Sequence, residues 1–248
     1  MKIFHSPLLS LHLEVMHGFT TREGGTSIYG NNLAYHVNDD ETDVKNNHKR
    51  LANNLHYSQN NLVHMSQVHG DKIVIIDKEF THQNIPICDA LITKEKETPL
   101  MVMVADCVPI LLYDPVEKVI AVIHAGRAGV FSRIVPKTIQ KMQKELSCNT
   151  KNILISIGPC IHQDCYEVGK EIVQESKEYS YNYAIKEEKG RYYLDLLSII
   201  YKQLNDLNIM DKNLETLPYC TACNTDKFYS YRAEQNSCGR FAGVIMLK

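Results

Sequence analysis

The chain has 248 residues, enough to bury a large core without disulfide staples, and it reads as a single domain over 1–248. Hydrophobic residues make up 44% and the formal net charge is −2, so no overall field attracts a polyanion and no nucleic-acid partner is expected. No apolar run approaches the roughly 20 residues that span a bilayer, which excludes a membrane helix. The first residues, MKIFHSPLLSLHLE, lack the apolar stretch and small-residue cleavage site of a signal peptide, so the expected location is the cytoplasm. In that reducing compartment the eight cysteines are expected as thiols, most of them buried as small hydrophobes.

Residues 31–61 are polar and rich in Asn, and are expected to form a loop with one short helix, a candidate pocket wall. The centre is the most apolar part. LMVMV (100–104), PILLYD (109–114) and KVIAVIH (118–124) are short apolar runs divided by turn residues, and read as buried strands. Asp114-Pro115 marks the turn between the last two. After Gly129 the spacing becomes helical: Ile134, Ile139, Met142 and Leu146 share one face, with Pro136 in the first turn or two. A strand at 152–158 follows, then helices at 168–177 and 194–207. The chain ends in an alternating FYSYR (228–232) and a final strand at 241–247. Strands mixed with helices predict an α/β or α+β domain with mixed sheets.

Three residues stand at the ends of expected strands, where rigid scaffolds present functional side chains. His69 lies in QVHG, Cys107 in ADC after LMVMV, and His124 at the end of KVIAVIH. Two imidazoles and a thiolate suit zinc, and three protein ligands leave a fourth position open, as in catalytic centres. Taken one at a time, each reads equally as an ordinary core residue, and the spacing matches no local metal motif. Cys220-x-x-Cys223 is half of a zinc ribbon or a redox pair, but no second pair stands at ribbon spacing. Thr21-Arg22-Glu23-Gly24-Gly25 places a cation beside a flexible pair, in the manner of an anion-binding loop or of a solvated turn. GPCIHQDCYEVG (158–169) is either a pocket loop or a buried turn.

The landmarks HGFTTREGGTS, NLAYHVNDD, QVHGDKI, CDALIT, VADCVPILLYDP, IAVIHAGRAGV, IGPCIHQDCYEVG, YLDL and FYSYRAEQNSCGRFAG run through nearly the whole chain in order. In them the sequence resembles the family first called multicopper polyphenol oxidases, or laccase-domain proteins, and now regarded as purine nucleoside phosphorylases. The resemblance implies a layered α/β/β/α sandwich with mixed sheets. It implies zinc on His69, Cys107 and His124, with copper able to take its place. It further implies phosphorolysis of inosine, adenosine and methylthioadenosine, and deamination of adenosine. Purine nucleosides and phosphate are then the expected partners, and a homodimer is an allowed assembly. Two departures stand out. The family usually reads HAGWRG, whereas this chain reads HAGRAG over 124–129 and has no Trp at all. The loop often written IGPxIGPCCYEVG carries His162, Gln163 and Asp164 here.

Deamination suits such a centre, because zinc lowers the pKa of its water and a nearby carboxylate can move the proton. Asp106, beside Cys107, is the first expectation for that carboxylate and Glu167 the second. Arg22 and Arg127 are the expected contacts to phosphate or substrate, since a guanidinium grips an oxyanion through two hydrogen bonds. A copper oxidase is the rival reading. Its clusters need many histidines, commonly as His-x-His, and none of the eleven histidines forms such a pair. A non-catalytic protein with a structural zinc would need a fourth protein ligand. A cysteine hydrolase using Cys107 is a third reading.

Overall fold

The computed structural model describes residues 1–80, 84–235 and 237–248. In chain order the elements are β1 (Ile3–Phe4), α1 (Pro7–Ser10), β2 (Val15–Thr20), α2 (Glu41–Leu55), β3 (Ile73–Ile76), β4 (Ala90–Thr93), β5 (Leu100–Val104), β6 (Val108–Asp114), β7 (Val119–Ala125), α3 (Arg127–Phe131), α4 (Ile134–Leu146), β8 (Leu154–Ile157), β9 (Glu167–Val168), α5 (Lys170–Glu178), β10 (Ile185–Glu188), β11 (Arg191–Leu194), α6 (Leu196–Asp206), β12 (Leu214–Thr216) and β13 (Phe241–Leu247).

An antiparallel sheet runs β1-β2-β13-β5, and a mixed six-stranded sheet runs β12-β8-β6-β7-β4-β3. A small antiparallel sheet, β10-β11-β9, stands apart from both. Side chains alternate across a strand, so each central strand feeds two cores. Ile110, Leu112, Ala121 and Ile123 face one way, against Phe131, Ile139, Met142 and Ile200 of the helices. Leu111, Tyr113, Ile120 and Val122 face the other way and meet Phe19, Val102, Phe241 and Ile245 of the four-stranded sheet. That sheet's outer face (Met16, Met101, Val244, Met246) is covered by Leu51, Ala52 and Leu55 of α2. The order is helix, sheet, sheet, helix, the layered sandwich expected from the resemblance. Strands buried on both faces explain the unbroken apolar runs that mark 100–104 and 118–124 in the sequence. Among the described residues, no helix is long and apolar enough to cross a membrane.

Two segments differ from expectation. Residues 31–61 hold a 15-residue helix, α2, rather than a short one. Asp40 caps it by accepting from the main-chain N–H groups of Thr42 and Asp43, and Val44, His48, Leu51 and Leu55 form its buried stripe. Residues 228–232 alternate in polarity yet form no strand. Two of their main-chain donors go to side chains instead: the N–H of Ser230 donates to Glu234 Oε2 and that of Arg232 to Asp106 Oδ2.

His17 and His48 lie inside this frame, 4% and 3% exposed. Ser6 N–H donates to His17 Nε2, and His48 Nε2 bonds the Leu33 carbonyl. Burial pulls both imidazoles down to about 4. An unfolded chain binds these protons near pH 6.5, so stability is full above that pH and falls as the pH drops towards 4. The two together add at most roughly 2.7 kcal/mol per pH unit to the slope. Urea midpoints measured across that window should show it, and His48→Gln should reduce it; an unchanged slope in that variant would refute the assignment.

Candidate metal centre and its cavity

The register of the six-stranded sheet builds one wall of the site. β4 pairs β7 with Ala90 opposite Ile123 and Leu91 opposite Val122. One step further, Asp89 and His124 fall opposite each other, and the His124 N–H donates to the Asp89 carbonyl at 2.8 Å. By alternation His124 follows Ile120 and Val122, so its ring faces the gap between the two sheets. A slip of one residue would turn it towards the helices.

Cys107 lies where the chain leaves the four-stranded sheet at Val104 and enters the six-stranded sheet at Val108. The turn depends on Asp106, whose φ of 86° is unusual for a residue with a side chain. Its carboxylate holds that conformation from both ends: Thr221 Oγ1 donates to Oδ1 at 2.6 Å and Arg232 N–H to Oδ2 at 2.7 Å. His69 also has a left-handed backbone, with φ of 59°. Asp89 fixes it, accepting from the main-chain N–H groups of His69 at 2.9 Å and Gly70 at 2.8 Å.

The donor atoms of His69, Cys107 and His124 lie within 4.8 Å of one another. The two rings meet edge to face, with centroids 4.7 Å apart. Gly126 makes this convergence feasible. A Cβ there would stand 2.9 Å from His69 Cδ2 and 3.3 Å from Cys107 Sγ. Behind His124, Nδ1 bonds Asp89 Oδ1 at 2.8 Å, which orients the ring and leaves Nε2 for the centre. Asp89 is fully buried and His124 is 2% exposed. Burial opposes a thiolate at Cys107, but the imidazoles of His124 and His69 outweigh it and pull the thiol down to about 6. Burial also opposes charge on His124, yet the Cys107 thiolate and the Asp89 carboxylate push it up to about 9. Two imidazole nitrogens, an ionised sulfur and an outer carboxylate are the donor set of a zinc or copper site, so the residues present fit the metal.

The cluster opens onto a cavity of about 830 Å³, within the range of small-molecule sites. His36, Gln67, Tyr166 and Tyr231 line it together with Arg127, Arg232 and Arg240. Arg232 is held by the Glu167 carbonyl at 2.7 Å and lies over the Tyr166 ring. Arg240 is held by the carbonyls of Cys238 and Gly239, both at 2.9 Å. Arg127 pairs with Glu175 and lies over Phe131.

The structure brings Asp106 and Arg127 to this cavity, but leaves Arg22 and Glu167 off its wall. Arg22 is bound to Glu234 at 2.9 Å and to the Thr225 carbonyl at 2.8 Å, and lies over Tyr229. In this geometry the Arg22 guanidinium is committed to Glu234 and the Thr225 carbonyl, away from the lining residues of the cavity. Glu167 sits on β9 of the small sheet, exposed and facing Arg191, so its carboxylate is not among the groups lining the cavity. Both Asp106 oxygens already accept hydrogen bonds, so its observed work is to hold the turn. Asp89, Arg232 and Arg240 were not singled out from sequence. For Asp89 a signal existed: an acid directly before the apolar run ALIT.

A family model described as multi-copper polyphenol oxidoreductase laccase matches residues 16–248. A Streptomyces coelicolor protein named purine nucleoside phosphorylase is 35% identical over 93% of this chain and 94% of its own length. A Corynebacterium glutamicum protein of the same name is 36% identical over 92% and 93%. Among solved structures, YlmD from Geobacillus stearothermophilus superposes with a TM-score of 0.90 at 28% identity, covering 98% of this chain and 94% of that one. These likenesses span the sandwich and the loops that carry His69, Cys107 and His124, and the chain therefore belongs to the multi-copper polyphenol oxidoreductase laccase family, in which relatives bear the name purine nucleoside phosphorylase.

Proposed function

We propose that this protein is a zinc-dependent purine nucleoside phosphorylase of the cytoplasm, acting on inosine, adenosine and methylthioadenosine, with slower deamination of adenosine. One observation carries the reading: a His₂Cys cluster opens onto a cavity lined by three arginines. In phosphorolysis a phosphate oxygen bonds to C1′ of the ribose, the C1′–N bond to the purine breaks, and the base takes up a proton. When bound, zinc supplies a Lewis acid and a water of lowered pKa.

The chain's own residues bind and orient. Arg232 and Arg240 are each anchored through one nitrogen to main-chain carbonyls, and a guanidinium has five N–H donors, so others are left for phosphate. Tyr166 and Tyr231, which carry the Arg232 and Arg240 guanidinium groups over their rings, add aromatic surface to the wall against which a purine can pack. Asp106 acts as a positioning residue, tying the Arg232 main chain to the turn that bears Cys107.

Metal-replete protein incubated with inosine should yield hypoxanthine and ribose 1-phosphate only when phosphate is supplied. Adenosine should be deaminated more slowly, and chelation should stop both reactions. Among the described residues no second histidine-containing cluster gathers, which weighs against an oxidase. Oxygen consumption with phenols at enzyme-like rates, with nucleosides left intact, would overturn the reading.

Arg240→Ala should raise the Michaelis constant for phosphate by roughly 10–100-fold, the effect of losing a charge-assisted hydrogen bond. Initial rates over a phosphate series test this, and an unchanged constant would remove Arg240 from the phosphate site.

A further inference from the structure

The loop after β8 and the turn before residue 228 bring three further sulfurs together. Cys220 and Cys223 flank a Cys-Thr-Ala-Cys turn, and Cys165 arrives from 58 residues before Cys223. Their three sulfurs lie within 4.8 Å of one another, and those of Cys165 and Cys223 are 3.2 Å apart. All three are free thiols.

The surrounding backbone is built around this cluster. Cys160 and Cys220 form a parallel bridge that pins the loop to the turn. Asn224 donates twice to the Cys220 carbonyl, from its main chain at 3.1 Å and its amide at 2.8 Å. The main-chain N–H of His162 donates to Cys220 Sγ at 3.4 Å. Such hydrogen bonds to sulfur tune and orient a ligating thiolate. Burial is graded, with Cys220 buried, Cys165 half-buried and Cys223 exposed, so an ion has an entry path from solvent.

We propose that Cys165, Cys220 and Cys223 form a second metal site, separate from His69, Cys107 and His124, for a thiophilic d¹⁰ cation of the cuprous or zinc type. Three soft thiolates select such ions. Cuprous ion is satisfied by three sulfurs, and zinc completes four-coordination with water at the open side beside Cys223. On binding, metal–sulfur bonds form and the thiol protons leave to solvent. The site reaches the cavity through two neighbours: Thr221, between the cysteines, donates to Asp106, and Tyr166, next to Cys165, lines the cavity wall. A bound ion thus clamps two walls of the cavity to each other.

The test uses the reduced full-length protein. Wild type should bind two equivalents of zinc(II) or, under anaerobic conditions, cuprous ion, whereas Cys223→Ser and Cys165→Ser should each bind one. Whichever ion is retained against a competing chelator identifies the occupant. With cobalt(II) as probe, sulfur-to-cobalt charge transfer in Cys223→Ser should fall to the level of a single Co–S bond, that of Cys107. Cys223 is exposed, so this variant should keep its fold. Undiminished metal binding in both variants, or a Cys165–Cys223 disulfide in protein kept under reductant, would overturn the proposal.

Discussion

Cys107→Ser should keep the fold and lose the metal equivalent held with His69 and His124, and phosphorolysis with it. The side chain lies in the crossover between sheets, and Ser is slightly smaller, so packing changes little. Metal binding changes far more. The thiol is held at about 6 by two imidazoles and is ready to ionise, whereas a hydroxyl in its place is a hard, neutral donor. The loss of affinity should exceed the ~10–100-fold that follows loss of an outer partner, because a direct ligand is removed. Metal analysis after dialysis against a chelator, with far-UV circular dichroism as the folding control, checks this. Undiminished metal at a conserved spectrum would sink the assignment of the centre.

Asp89→Asn should weaken both the metal centre and the fold. The carboxylate accepts from the N–H groups of Val68, His69 and Gly70 and from His124 Nδ1, while fully buried. An amide has one oxygen, so its NH₂ must face a donor. Breaking a buried charged network by changing one partner costs about 3–5 kcal/mol. For a chain of this size that is roughly a 6–20 °C fall in melting temperature. Metal affinity should drop ~10–100-fold, since the His124 ring loses its orienting acceptor and the His69 loop its anchor. Calorimetry of chelated and metal-loaded protein separates the two effects. A melting temperature within 2 °C of wild type, as roughly the shift of 1 kcal/mol or less, would show that Asp89 is not the keystone of the loop.

Much of the frame was legible because burial leaves a one-dimensional trace. Strands covered on both faces read as unbroken apolar runs, and three of them were found at 100–104, 109–114 and 118–124. β2 was hidden by His17 and Gly18, which interrupt its apolar character. Both are nonetheless buried: Gly18 has Ile3 at the place a Cβ would occupy, and His17 is held neutral by burial. The 31–61 helix was underestimated because its composition is polar, while its length came from the Asp40 cap and a narrow buried stripe.

The residue types at strand ends, and the motifs around them, already pointed to His69, Cys107 and His124 from sequence. What sequence determined was local: period-two burial along a strand, turn residues, and the chemistry each side chain can offer. Tertiary structure decided which of those side chains meet. Strand register set Asp89 opposite His124, and the crossover at Asp106 brought Cys107 beside both histidines. Chain folding also paired Arg22 with Glu234, carried Arg232 and Arg240 to the cavity, and delivered Cys165, 58 residues before Cys223, to the Cys220-x-x-Cys223 turn. Each of these joins residues far apart in the chain, and the attraction between them depends on distances in space that spacing along the chain does not encode.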